Sequence, residues 1–280
     1  MGRIALQVVA VSLVAATSVR AGATSSQRSE SEEEADAAPA DETSTLDAAR
    51  TARAYTLMPF AMSPRVGEQV VTGHVWGGYD GGSRGAVGEA VVDGRVSRSL
   101  ALRVGATSSD LWGRSTAMLG ARLGLLREGG APLDLGVGVV YQPQSIRGDG
   151  IVTATVSLGK TIGRLSSQAS FGYGQDPEGD DGLGVTSVGA VFRASERIHL
   201  GIDGRARAQL WSSDKKFASL EQPIMDFTAG PLLAYAFGRF DIIAYGGIAG
   251  LMLKAPPELA GDRTRLQLGP LAMLGVGAAL

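Results

Sequence analysis

The chain has 280 residues, of which 44% are hydrophobic, 19% charged and 6% aromatic, with 40 Gly, 11 Pro and no Cys. The absent cysteine excludes a disulfide framework, a Cys-ligated zinc or iron-sulfur centre and a lipid anchor on cysteine, and a formal charge of -2 excludes the dense basic face that a nucleic-acid partner requires. Glycine stands near double its usual share of roughly 7% without the three-residue period of collagen, which leaves one Gly-rich, weakly apolar domain.

In chain order, residues 1–23 read as a secretory signal: Arg3, an apolar stretch from Ile4 to Val19, then Ala21-Gly22-Ala23 as the cleavage site. Residues 24–50 follow with eight acids against Arg28 and Arg50, a net charge of -6, and almost no large apolar side chain. Such a stretch cannot bury enough surface to fold, so it is expected to be a disordered acidic tether. Its charge suits it either to a spacer role or to a mobile gate that visits a basic patch such as Arg205 and Arg207. The lead-in to the folded region runs on to Glu68 and contains Met58-Pro59-Phe60 and Ser63-Pro64, so 24–68 is read as tether and lead-in.

From Gln69 onward large apolar residues alternate with small or polar ones in runs separated by turn residues. Ile198, Leu200, Ile202, Ala206 and Leu210 alternate with His199, Asp203, Arg205, Arg207 and Gln209; Leu133, Leu135, Val137 and Val139 repeat the pattern. Period two at this length means strands with one apolar and one polar face. Twelve segments emerge, near 69–79, 86–96, 99–108, 115–126, 133–142, 150–160, 164–174, 183–193, 197–210, 223–236, 239–252 and 264–280, with the eighth and eleventh alternating poorly. Their connectors alternate between tight turns and longer polar loops, as a barrel with one turn rim and one loop rim requires, and an even strand number puts both ends of the barrel sequence on the turn side.

A helical membrane protein is the competitor, because Ala229 to Leu253 is long and apolar. Pro231, Arg239, Asp241 and recurrent glycines interrupt that run, and no other segment reaches about 18 clean apolar residues. A soluble all-β sandwich is the other alternative.

Over 69–280 the pattern resembles the outer-membrane β-barrel proteins of diderm bacteria, in the porin-like sense. The resemblance lies in architecture, and aromatic placement agrees with it: Tyr79, Trp112, Tyr141, Tyr173 and Trp211 fall at loop-side ends, and Phe192, Tyr235, Phe237 and Phe240 near the turn rim, as two interfacial girdles would. It implies an all-β, closed antiparallel transmembrane barrel in the cell outer membrane, surrounded by outer-membrane lipid and inserted by the barrel-assembly machinery. One departure bears on that machinery: such proteins usually end on an aromatic residue, and this chain ends Leu-Gly-Val-Gly-Ala-Ala-Leu.

Motifs elsewhere are weak. Gly159-Lys160-Thr161 lacks the glycine five residues earlier that a phosphate loop needs, since position 154 is Ala. Arg147-Gly148-Asp149 consists of ordinary turn residues, and Asp181 occupies the glycine position of a calcium loop beside Asp176, Glu178 and Asp180. Only His74 and His199 could serve as catalytic bases, both on the polar face, so no enzyme activity, cofactor or metal is expected. By parity the polar face carries Glu89, Asp93, Arg103, Arg122, Asp134, Asp203, Arg205, Arg207, Asp226 and Arg265 into the lumen. Buried charges must be paired or wet. The expected function is therefore a narrow passive channel for small hydrophilic solutes lined by these ten residues, with inward glycines leaving open volume. The alternative is a non-conducting barrel that is closed by Arg-carboxylate ladders and binds something through its loops.

Overall fold

The computed structural model describes residues 51–67, 69–108, 115–143, 150–179, 181–212, 222–255 and 264–280. The expected signal segment 1–23, the acidic stretch 24–50, Trp112, Asp180 and the Arg147-Gly148-Asp149 tripeptide lie outside these residues.

Twelve strands form one closed sheet: β1 (Val71–Asp80), β2 (Gly85–Arg95), β3 (Leu100–Thr107), β4 (Thr116–Leu126), β5 (Asp134–Gln142), β6 (Ile151–Ile162), β7 (Leu165–Gln175), β8 (Asp181–Arg193), β9 (Ile198–Ser212), β10 (Gln222–Phe237), β11 (Phe240–Lys254) and β12 (Thr264–Ala279). Every strand pairs antiparallel with its sequence neighbours, and β12 closes on β1 with His74 opposite Gly277 and Trp76 opposite Gly275. Closure pairs both edges of the sheet, the only way strands can lie in hydrocarbon without unsatisfied backbone groups. Val71 and Leu280 exchange backbone hydrogen bonds of 3.0 and 2.8 Å, which fixes both ends of the barrel sequence on the turn rim.

Period two directs the side chains. Along β9, Ile198, Leu200, Ile202 and Leu210 point outward while Asp203 is buried, and Leu102, Leu119, Phe171, Val188 and Leu274 extend the exposed apolar surface around the barrel. No water-soluble monomer carries an apolar belt on all sides. Among the described residues no helix is long and apolar enough to cross a membrane, and the apolar stretch Ala229 to Leu253 forms β10 and β11. Tyr79, Tyr141, Tyr173 and Trp211 lie exposed at loop-side ends, and Phe192, Tyr235, Phe237 and Phe240 at the turn side. The molecule is a membrane-spanning β-barrel.

The poor alternation of β11 has a physical cause, because its inner face is apolar as well. Ile242 and Ile248 face outward, whereas Ile243, Tyr245 and Ala249 are buried inside with Trp76, Leu232, Leu271 and Met273. Strands β8 to β12 are also longer, at 13 to 16 residues, than β1 to β7, at 8 to 12.

That inner apolar wall receives the segment before β1. Residues 51–56 (Thr-Ala-Arg-Ala-Tyr-Thr) form a short helix that stops ahead of Pro59, whose ring disfavours the helical conformation at the preceding residue. This segment begins at the turn rim, where Arg53 pairs with Asp241 at 2.8 Å, and climbs to Phe60, which packs edge-on against Trp76 and Tyr245. It then descends through Ser63 and Pro64 to Arg65, bonded to Asp134 at the first position of β5. Residues 51–67 are therefore an inward-folded hairpin filling the turn-side half of the lumen. Inward glycines make room for it: a Cβ on Gly136 would come within 2.5 Å of the Pro64 carbonyl oxygen, and one on Gly159 within 2.7 Å of Pro64 and the Tyr55 ring. The volume that inward glycines were expected to leave open is occupied here by the chain itself.

Candidate functional site

The hairpin and wall together define what the interior can do. Asp134, on β5, is fully buried and accepts hydrogen bonds from Arg65 at 2.9 Å, the Tyr55 hydroxyl at 3.1 Å and the Glu128 backbone N–H at 2.9 Å. Burial raises the Tyr55 phenol above its ordinary value, so it remains a proton donor. Asp203, on β9, accepts from the Phe60 backbone N–H at 3.0 Å, which holds the hairpin apex. On β4 Arg122 donates to the Ser63 carbonyl at 3.1 Å and to Asp93 at 3.0 Å, tying the returning arm to the wall.

Other charges pair along the wall. Asp93 on β2 is shared by Arg122 and by its cross-strand neighbour Arg103, at 2.9 Å. Arg207 bonds Asp226, directly opposite it on β10, at 3.0 and 3.1 Å through Nε. His74 lies 3.2 Å from Glu89. These pairs join β1 to β2, β2 to β3, β2 to β4 and β9 to β10, and none of them spans the lumen. Arg205 differs. Its guanidinium rests 5.0 Å above the Phe60 ring, and its Nε has no hydrogen-bond partner.

Between hairpin and wall runs a cavity of about 390 Å³. Near the turn rim it is lined by Arg53, Arg239 and Ala278; near the loop rim it is lined by Thr107, Gln142 and Thr153, which sit at or next to the loop-side ends of β3, β5 and β6. Of the ten residues expected to line a pore, Glu89, Asp93, Arg103, Arg122, Arg205 and Arg207 line this cavity. Asp134 and Asp203 hold the hairpin, Asp226 stands behind Arg207, and Arg265 is exposed at the loop end of β12.

Sequence parity gave no role to the residues that fill the lumen: Arg53, Tyr55, Phe60, Ser63, Arg65 and their partner Asp241. A signal existed, because Tyr55, Leu57, Met58, Phe60 and Met62 cluster in a stretch with no strand period, and large apolar residues outside any element need a surface to cover. The weak motifs have local roles. Lys160 pairs with Glu128 at 2.8 Å, and Asp176 accepts the Asp181 backbone N–H at 2.8 Å.

No protein-family model matches the chain, and no curated protein is significantly similar to it in sequence. A solved structure shares the fold. The NanC porin is 13% identical, with a TM-score of 0.51 over 74% of this chain and 100% of its own length. Two further outer-membrane barrels align less well: the channel DcaP of Acinetobacter baumannii, 12% identical with a TM-score of 0.37 over 70% of this chain and 63% of its own, and an anion-selective porin from Comamonas acidovorans, 12% identical with a TM-score of 0.34 over 69% and 59%.

Proposed function

We propose that this protein is a narrow passive channel through which small hydrophilic solutes cross the outer membrane, passing between the inner hairpin and the wall. The observation that carries the reading is the cavity of about 390 Å³, whose lining includes residues near both rims together with Glu89, Asp93, Arg103, Arg205 and Arg207. Charges paired along the wall rather than across the lumen keep that gap hydrated without closing it. In the same proposal residues 1–23 are a signal removed on export, 24–50 form an acidic tether, 69–280 form the barrel, and the barrel-assembly machinery inserts it. Transport rather than catalysis is proposed because the solved structure that shares the fold over the whole of its own length is a porin.

One observation favours a second reading, a closed barrel acting through its loops: the hairpin fills the turn-side half and is held by Asp134, Asp203 and Asp241. Planar-bilayer recording of the full chain separates the two. Discrete current steps support the channel, and a silent bilayer with folded protein supports the closed barrel. Rings of charge bias permeating ions, so the Arg205→Glu, Arg207→Glu double variant is expected to move the reversal potential toward cations. An unchanged reversal potential would remove these two residues from the path.

A further inference from the structure

Inside the barrel Arg205 is a cation without a counter-ion. It lines the cavity from β9, makes no hydrogen bond or ion pair with any described residue, and its Nε is buried. The carboxylates whose charge reaches it are engaged elsewhere: Asp226 with Arg207, Glu89 with His74, and Asp80 with the backbone N–H groups of Gly82 and Ser83. Asp203, two residues along the same strand, accepts the Phe60 N–H at the hairpin apex. A buried charge left in this condition is costly unless a ligand supplies the missing partner.

The guanidinium is also held in place. Its centre lies 5.0 Å from the Phe60 ring, and Phe60 is itself fixed edge-on against Trp76 and Tyr245. Stacking on an aromatic face presets the planar fork that grips a carboxylate through two parallel N–H bonds. Arg207, the next residue on the same face of β9, is already paired, so Arg205 offers one charge, which suits a carboxylate better than a doubly charged phosphate. No lysine is among the described residues that line the cavity.

Much of the remaining lining is apolar. Met58 and Met62 of the hairpin, Met118 of β4, and Leu183 and Val185 of β8 border the cavity. Met58 lies against Gly189 on β8 and Met62 against Gly138 on β5, where a Cβ on either glycine would meet the methionine sulfur at 2.6 and 2.5 Å. Methionine adapts to irregular apolar shapes. A volume of about 390 Å³ with an apolar lining and one free polar group is what a small organic ligand requires.

We propose that this cavity binds small amphipathic carboxylates, with the carboxylate seated on Arg205 and the apolar body against Met58, Met62, Leu183 and Val185. The site goes beyond the channel reading and does not rest on conduction, because a barrel closed by its hairpin holds the same cavity.

The test uses the full chain, isotope-labelled at the methionine methyl carbons, in phosphatidylcholine nanodiscs titrated with cyclohexanecarboxylate. Saturable shifts of the Met58 and Met62 methyl resonances are expected, assigned through Met58→Leu and Met62→Leu. Met225 and Met252 provide the reference, because they neighbour the inward-facing Asp226 and Leu251, so they point outward and report mere partitioning into lipid. Cyclohexylmethanol, which lacks the charge, and acetate, which lacks the apolar body, should each bind at least about tenfold more weakly, and Arg205→Gln should weaken binding of the acid to the same degree. Absence of a saturable shift overturns the proposal, as does an equal affinity for the alcohol or for acetate, and these comparisons on the parent protein stand whether or not Arg205→Gln folds. A folded Arg205→Gln that binds the acid as the parent does also overturns it. Binding beside a silent bilayer would end the channel reading and keep this site, whereas current steps without binding would do the reverse.

Discussion

Asp134 is the residue on which the interior turns, because one buried carboxylate serves both arms of the hairpin through Tyr55 and Arg65. Removing it takes the Asp134 carboxylate away from the Arg65 guanidinium, which is only 7% exposed. Breaking a buried pair from one side costs about 3–5 kcal/mol. Asp134→Ala is therefore expected to speed hydrogen exchange of the 51–67 amides by roughly a hundredfold or more, while amides of the barrel wall exchange as before. The 2.8 Å pair of Lys160 with Glu128 provides the contrast, since the lysine is 45% exposed. Exposed pairs contribute about 0–1 kcal/mol, so Lys160→Ala should leave the same amides nearly unchanged. Equal effects from the two substitutions would contradict the buried role given to Asp134.

At the scale of elements, the strands were legible in the sequence and the hairpin was not. Period two is a local signal: Ile198 to Leu210 declares both the strand and its faces, and twelve such runs with alternating connectors give the closed barrel. It weakens where a strand has apolar neighbours on both faces, as β11 does with Ile242 outside and Ile243 inside. The hairpin lacks any period because each of its residues answers to a different wall strand: Phe60 to Trp76 and Tyr245, Ser63 to Arg122, Arg65 to Asp134. Parity likewise gave the direction of Arg103 and Arg207 but not their partners, which depend on the register between strands. Inward glycines were visible as small residues, and what fills the space beside them was not. Their role makes a prediction. On Gly159 a Cβ would already meet the Tyr55 ring and Pro64 at 2.7 Å, so Gly159→Leu is expected to expel the hairpin from its seat. Trypsin should then cut after Arg53 and Arg65 in folded, vesicle-inserted protein, where Arg65 is otherwise buried. Continued resistance at Arg65 would show that the hairpin tolerates the added side chain.

At the scale of the whole molecule, the barrel inverts the usual arrangement of a soluble protein: the outer face of its wall is apolar, and charges such as Asp93, Arg122, Asp134 and Asp203 are buried inside. Only a hydrocarbon solvent stabilises that arrangement, so the cost of an outward charge should depend on depth. Ile202 and Ile162 test this cleanly, because both point outward with 64% and 70% exposure and neither side chain belongs to the interior core. Ile202 lies well inside β9, opposite Ala190 and Pro231 on the adjacent strands. Ile162 is the last residue of β6, at the turn rim. A lysine at the bilayer midplane costs about 2–4 kcal/mol, and one near the interface about 0–1. Ile202→Lys should therefore lower unfolding stability in phospholipid vesicles by at least about 2 kcal/mol, whereas Ile162→Lys should change it little, because its ammonium reaches the headgroups. In urea titrations the first variant is expected to unfold at clearly lower denaturant and the second beside the parent. Equal midpoints for the two would mean that Ile202 does not face hydrocarbon, and the bilayer would have to be placed elsewhere on the barrel.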